Sequence, residues 1–281
     1  MEIIITHLTC NTGALKACSL TCRSWYTTAA PLLHHSLTLT GDELEIGRRH
    51  LQPLFNLHRL GLIHLVKEIR LKQGFDVDHW FVPQAFTHLD LCHFFTLTNV
   101  HTLKLQNMGI DRFVPTLEHH FGHFSQTLRS ITLYDPRCTP RQLSHFFSLF
   151  SNLDNIGIRN TLTRQPTTTT PDMELVPFSA LELRGRLALY NFNWAETWVH
   201  LTASSSDLRF RHMDLHRSPS CAPILFEACA ETLETLRLGR MDGSASEWFR
   251  VRLSADFAEG EQGVSIYLLS RFSGLSKSRL G

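Results

Sequence analysis

The chain has 281 residues, of which 43% are hydrophobic and 19% charged, with 27 Lys and Arg set against 26 Asp and Glu. That balance is ordinary for a folded protein and excludes a disordered polyelectrolyte, while a formal charge of +1 supplies no general attraction to nucleic acid or acidic membranes. No apolar run approaches the roughly 20 residues of a membrane span, and the start at Met1-Glu2 has neither the basic region nor the sustained apolar core of a secretory leader, so the expected compartment is cytoplasmic or nuclear.

Residues 1–40 read as a small helical unit. Ile3, Ile4, Ile5 and Leu8 crowd one short helix, and Leu15, Cys18, Cys22 and Trp25 recur at helical spacing on a second, with Thr12-Gly13 as the break between them. Pro31 opens a third turn, and residues 36–40 (SLTLT) alternate as a strand that leads into a sheet. So short a unit buries too little apolar surface to stand alone, which predicts that it leans on the rest of the chain or on a partner helix. Trp25 is expected to pack between these helices and the first part of the sheet.

Beyond residue 60 the chain repeats. The pattern apolar-x-x-apolar-x-apolar recurs at Val66-Ile69-Leu71, Val100-Leu103-Leu105, Leu128-Ile131-Leu133, Leu153-Ile156-Ile158, Phe178-Leu181-Leu183, Phe210-Met213-Leu215 and Leu233-Leu236-Leu238. Spacings near about 25 residues belong to leucine-rich repeats, in which a short strand lines one face and a helix or loop returns on the other. Leu57-Leu60-Leu62 and Phe86-Leu89-Leu91 fit the same pattern, and one of the two lies too close to its neighbour to be a separate repeat.

Helix signals fall between the copies. Asp111 caps a stretch carrying Phe113, Val114, Leu117, Phe121 and Phe124, and Thr139-Pro140 opens one with Leu143, Phe146, Phe147 and Phe150. Asn193 precedes Trp194, Trp198 and Leu201, and Pro223 precedes Leu225, Ala228 and Cys229. Strand followed by helix, several times over, predicts parallel strands joined by crossovers. Three residues past each last apolar position, where a regular repeat places Asn or Cys in the turn, stand Gly74, Met108, Pro136, Thr161, Arg186, Ser218 and Met241. No side-chain ladder is expected there, and the curvature should vary from copy to copy.

Residues 160–177 include RQPTTTTPD, whose threonines between prolines build no core and predict an exposed loop. After Leu238 the stretches EWFRVRL and VSIYLLSRF read as strand or helix pieces of a further repeat. The seven cysteines form no CxxC pair and are scattered, which argues for reduced, mostly buried thiols and against a disulfide framework or zinc ribbon. His119 and His123 stand four apart beside Glu118, but no third ligand follows at a metal-site spacing. GxSxG, HExxH, GxxxxGK[ST] and GxGxxG are all absent, so no catalytic residue, metal site or cofactor is predicted.

Together MEIIITHL, ALKACSLTCRSW and PLLHHSLTL resemble an F-box, in the version common in large families of fungal proteins, and the repeats behind them are similar to the leucine-rich extension many of those proteins carry. The resemblance covers residues 1–40 well. One departure is the Leu-Pro pair that opens the family's motif, which does not precede Ile3 here. The expected fold class is α/β: a short all-helical F-box-like head over residues 1–40, then an irregular leucine-rich-repeat solenoid with parallel strands over residues 41–281.

The resemblance implies the substrate-recognition subunit of a Skp-cullin-F-box ubiquitin ligase rather than an enzyme. Its partners would be the Skp-type adaptor and an unknown target protein, with no nucleic acid and no membrane. A protein-interaction scaffold with a degenerate F-box that does not dock is the alternative, and the Leu-Pro departure is what separates the two. By position Ile3, Ile4, Leu8, Leu15, Leu20 and Trp25 are the adaptor-binding candidates, with Ile5 and Cys22 on the same docking and core pattern.

Alternation along the strands supplies the other candidate surface. Arg70, Lys72, Lys104, Tyr134, Arg159, Arg184, His216 and Arg237 fall on the concave face, where Glu68, Glu182 and Asp214 are the acids. That excess of positive charge predicts a target with an acidic or phosphorylated segment, since guanidinium groups pair bidentately with carboxylate and phosphate.

Overall fold

The computed structural model describes residues 7–8, 11–41, 51–73, 96–107, 109–110, 122–136, 138, 140–159, 182–191, 207–216, 222–229, 231–238 and 265–268. The chain divides into two compact units, Met1–Leu153 with Leu162–Val176 and Asp154–Thr161 with Pro177–Gly281.

The first unit opens with two helices, α1 (Thr12–Thr21) and α2 (Arg23–Leu33). The Asn11 side chain accepts a 3.0 Å hydrogen bond from the Ala14 N–H, so α1 begins at the position where the sequence suggested a break. Thr12-Gly13 is its first turn. Cys22 is extended, with φ −162° and ψ 168°, and separates the two helices. The expected single face of Leu15, Cys18, Cys22 and Trp25 is therefore divided between them, and Cys22 is exposed. Leu15, Cys18 and Ala29 form the core of the pair, with Leu8, Trp25, Leu32 and Leu33 packed around it. Pro31 does not start a new turn but sits inside the last turn of α2, where its missing N–H weakens the helix just before it stops.

Four parallel strands follow in chain order: β1 (Ser36–Gly41), β2 (Glu68–Gln73), β3 (Thr102–Gln106) and β4 (Ser130–Tyr134). Their register aligns Leu37, Ile69, Leu103 and Ile131 in one row and Leu39, Leu71, Leu105 and Leu133 in the next, all buried. Each such side chain contributes roughly 1.5–3 kcal/mol on full burial, and alternation sends the residues between them to solvent. Helix α3 (Gln52–Arg59) lies between β1 and β2, so Leu57-Leu60-Leu62 is not a strand, and Leu60 is left exposed. Short 3-10 turns at Ile63–Leu65 and Gly122–Ser125 precede β2 and β4, the second burying Phe124. Helix α4 (Pro140–Ser148) forms where Thr139-Pro140 predicted it and buries Leu143, Phe146 and Phe147, with Phe150 just beyond. The Phe146 ring meets Phe147 at 5.7 Å and Phe150 edge-on at 5.4 Å.

Backbone groups are matched strand to strand at the corners. The His35 carbonyl accepts from the N–H groups of Lys67 and Glu68, the Lys67 carbonyl from His101 and Thr102, and the His101 carbonyl from Arg129 and Ser130, all between 2.9 and 3.1 Å. At the far ends the chain turns through a residue with positive φ: Asn107 at 57° and Asp135 at 49°. Asn and Asp adopt this left-handed region more readily than other non-glycine residues. In this conformation the Asn107 N–H donates to the Tyr134 carbonyl at 2.9 Å.

The second unit has strands β5 (Asn155–Arg159), β6 (Glu182–Tyr190), β7 (Asp207–His216), β8 (Thr235–Leu238) and β9 (Ser265–Leu268), again parallel in chain order. Rows of Ile156, Leu187, Met213 and Leu236 and of Ile158, Leu189, Leu215 and Leu238 are buried. The fifth repeat is thus shifted: Leu187 and Leu189 stand where Leu181 and Leu183 were expected. Gly185 explains the slip. Its φ is +80°, the register between β6 and β7 jumps between it and Arg186, and the Arg186 N–H donates to the Asp154 carbonyl at 2.7 Å. A Cβ at this glycine would lie 2.1 Å from that carbonyl oxygen.

Helix α5 (Ala222–Cys229) precedes β8 and buries Leu225, Phe226 and Cys229, whereas Ala228 is exposed. Asn191, at φ 55°, repeats the turn of the first unit and donates to the His216 carbonyl at 2.7 Å. The recurring turn residue therefore stands two positions past the last apolar residue, not three. The helices expected over residues 111–121 and after Asn193, the Thr-rich segment 160–177, Phe86-Leu89-Leu91 and EWFRVRL lie outside the described residues. Within VSIYLLSRF, β9 is a strand.

Candidate functional site

Among the six residues assigned to adaptor binding, Ile3 and Ile4 lie outside the described residues. Leu15 is 1% exposed and faces the core of the helix pair, and Leu8 and Trp25 are half-buried against it. Leu20, in the last turn of α1, is 86% exposed, and Cys22 and Tyr26 are exposed close by in sequence. Burying Leu15 and Cys18 fixes the rotation of α1, and that rotation turns Leu20 outward. Tyr26 has no signal in the sequence, because its neighbour Trp25 carries the helical pattern. These residues bring apolar surface into contact with solvent.

The solvent side of the first unit's sheet has three rows, set by register. Ser36, Glu68, Thr102 and Ser130 make the first, Thr38, Arg70, Lys104 and Thr132 the second, and Thr40, Lys72, Gln106 and Tyr134 the third. Arg70, Lys72, Lys104 and Tyr134 are thus brought to one face. Glu68 changes what two of them do. Its carboxylate is buried, takes a 3.1 Å hydrogen bond from the Ser36 hydroxyl, pairs with Lys104 Nζ at 2.7 Å, and also holds the Arg70 guanidinium. Burial pushes the Glu68 carboxyl up, but the hydrogen bonds and charges of Lys104 and Arg70 outweigh it and hold the group below the usual carboxylate range. Much of the positive charge of Arg70 and Lys104 is therefore balanced within the sheet.

On the second unit Arg159, Tyr190 and His216 stand side by side in register at the ends of β5, β6 and β7. The Arg159 guanidinium carbon lies 4.4 Å from the centre of the Tyr190 ring, and that ring stacks on His216 at 5.8 Å with 25° between planes. The Tyr190 hydroxyl donates to Asp214 Oδ2 at 3.1 Å, and Arg186 pairs with the same oxygen at 3.5 Å. Burial, then the Asp214 charge and hydrogen bond, push the Tyr190 phenol up, with Arg159 and Arg186 opposing. The phenol stays protonated and locked on Asp214.

Arg237 is exposed on β8, in register with Asp214. Arg184 pairs in register with Arg209, on the other side of the bulge from this cluster, while Ala188 and Tyr190 occupy the strand positions that simple alternation assigns to Glu182 and Arg184, and Arg186 stands just before them. Tyr190 and Arg186 were missed for that reason alone. A pattern centred on Leu187 and Leu189 would have found them.

Among the described residues no three His, Cys, Asp or Glu side chains gather to hold a metal ion, and no helix is long and apolar enough to cross a membrane. His119 and the His123 side chain lie outside the described residues. What the geometry provides is stacked aromatic surface, cations and hydrogen-bond donors on the solvent side of the strands. No family model matches the chain, and neither a curated protein nor a solved structure matches it.

Proposed function

We propose that this protein is the substrate-recognition subunit of a Skp-cullin-F-box ubiquitin ligase, with an F-box-like head that binds the adaptor and an irregular leucine-rich-repeat solenoid that holds a target protein. One observation carries this reading. The segment ALKACSLTCRSW, on which the F-box resemblance rests, forms two short helices that turn Leu15 and Cys18 inward and leave Leu20 exposed, and the chain runs from them directly into parallel strands. A helix pair with so small a core gains from a partner that covers its remaining apolar surface. The solvent-facing rows of Arg, Lys, Tyr and His then serve as the target-holding surface. Such a subunit brings two proteins together and carries out no bond chemistry itself.

Co-expression with a Skp-type adaptor and purification through the adaptor tests the reading. The expected result is a stoichiometric complex that Leu20→Asp disrupts. Failure to form it, even with a Leu-Pro pair supplied ahead of Ile3, overturns the ligase assignment and leaves a protein-interaction scaffold.

A further inference from the structure

We infer that the open edge of β1 pairs with the same edge of a second copy of this chain, antiparallel about a two-fold axis at Thr38, giving a reversible dimer joined through its backbone. This goes beyond the ligase reading and does not depend on adaptor docking.

Strand order makes the edge. Among the described residues β1 has a strand neighbour on one side, β2, and its register with that neighbour runs from Ser36 to Gly41 without a shift. Hydrogen bonds set which way its backbone groups face, because the His35 carbonyl accepts from Lys67 and Glu68 on the β2 side. In a parallel ladder the backbone groups of successive residues turn to opposite sides. The N–H and C=O groups of Leu37 and Leu39 therefore face β2, and those of Ser36 and Thr38 face away from it.

The strand carries none of the devices that keep edges from pairing. SLTLTG has no charge and no proline, and its unbroken register leaves no bulge. Leu37 and Leu39 are buried and Thr38 is exposed. The apolar side of the edge is thus already sealed. What remains to be matched there is backbone, and another strand matches it in register.

The order of the residues selects a second copy as that strand. About Thr38, SLTLT over residues 36–40 is nearly the same in both directions. An antiparallel two-fold centred there sets Thr38 opposite Thr38, Leu37 opposite Leu39 of the second copy, and Ser36 opposite Thr40 of the second copy. Hydroxyl then meets hydroxyl on the solvent side, leucine meets leucine on the buried side, and no like charges come face to face. Because the centre falls on a residue whose backbone faces outward, the Thr38 N–H of each copy donates to the Thr38 carbonyl of the other. So short a strand pair is a small contact, which makes the association weak and dependent on concentration.

Sedimentation equilibrium of the full chain, from about 10 μM to about 1 mM, is the test. The mass should rise from one chain toward two. Thr38→Lys and Thr38→Glu each place like charges opposite one another and should each weaken association about threefold to tenfold, without lowering the melting temperature of this exposed position. An equimolar mixture of the two variants should restore it, since a two-fold at residue 38 sets the lysine of one directly against the glutamate of the other. In the unaltered chain, amide exchange at Thr38 should slow as concentration rises, while Leu37 and Leu39, already in the ladder with β2, should not respond. A single-chain mass throughout, variants that associate as well as the wild type, a mixture no stronger than either variant alone, or Thr38 exchange indifferent to concentration overturns the inference. Adaptor co-purification reads the helix pair, so any of these results leaves the ligase reading standing.

Discussion

Lys104 on β3 closes a 2.7 Å ion pair onto the buried carboxylate of Glu68 on β2, tying together two strands that already share a backbone ladder. Cations hold the Glu68 carboxyl below the usual range, so its sign in acid is defined. A carboxyl depressed in the folded state stabilises the fold above its unfolded value, and that contribution disappears as pH falls through the folded one. Melting temperature should therefore drop on acidification below about pH 4.5. Glu68→Gln should flatten that part of the profile and cost roughly 1 kcal/mol at neutral pH, since both cations remain partly in water. Parallel profiles of the two proteins below that pH would show that the ion pairs contribute nothing.

His34 acts in a separate window. Burial at the end of α2 lowers its pKa from 6.5, so the unfolded chain takes up a proton more readily than the folded one. Stability is full above that value and declines as pH falls from 6.5 toward and through the depressed folded pKa. Urea titrations from about pH 7.5 to about pH 5.5 read this group before the carboxylates respond. His34→Asn should remove the slope in that range, and an unchanged slope would assign it to other histidines.

Two glycines with positive φ should respond differently to a methyl group. Gly61, at φ +67°, has nothing within 4 Å of a built Cβ, so Gly61→Ala should cost about 1–2 kcal/mol from backbone conformation alone. Gly185→Ala adds a 2.1 Å clash with the Asp154 carbonyl oxygen and should cost well beyond that. Denaturant midpoints of the two variants measure the difference. Equal values would mean that the backbone at Gly185 yields without penalty.

On the helix pair, Leu15→Ala should destabilise by about 2–5 kcal/mol, because the side chain is 1% exposed. Leu20→Asp should leave stability within about 0.5 kcal/mol while abolishing adaptor capture. Thermal melts with parallel pull-downs separate the two effects, and a large loss of stability in Leu20→Asp would reassign that side chain to folding.

Strands were legible in the sequence wherever apolar residues alternate over a polar one. Ile69-Leu71, Leu103-Leu105, Ile131-Leu133, Ile156-Ile158, Met213-Leu215 and Leu236-Leu238 all occupy the buried rows that alternation assigns them. The fifth copy misled because LELRGRLAL contains two leucine pairs in alternation, and only the close approach of Gly185 to Asp154 selects the second. That approach is a long-range fact with no local signature. Cys22 misled for a related reason: helical spacing continues through it, whereas its extended backbone divides the face in two. Of the candidate surfaces, the rows on β2 and β3 followed from alternation. Their charge balance did not, because the burial of Glu68 is visible only once the strands are paired.

The corner carbonyls of His35, Lys67 and His101 each accept from the strand that comes next, and the stretches between those corners differ in length. Deleting or duplicating a whole stretch from one corner to the next would present each remaining carbonyl with a pair of amides in the same geometry. A gene built this way can gain or lose a strand with its return segment by recombination and still encode a chain whose backbone groups find partners.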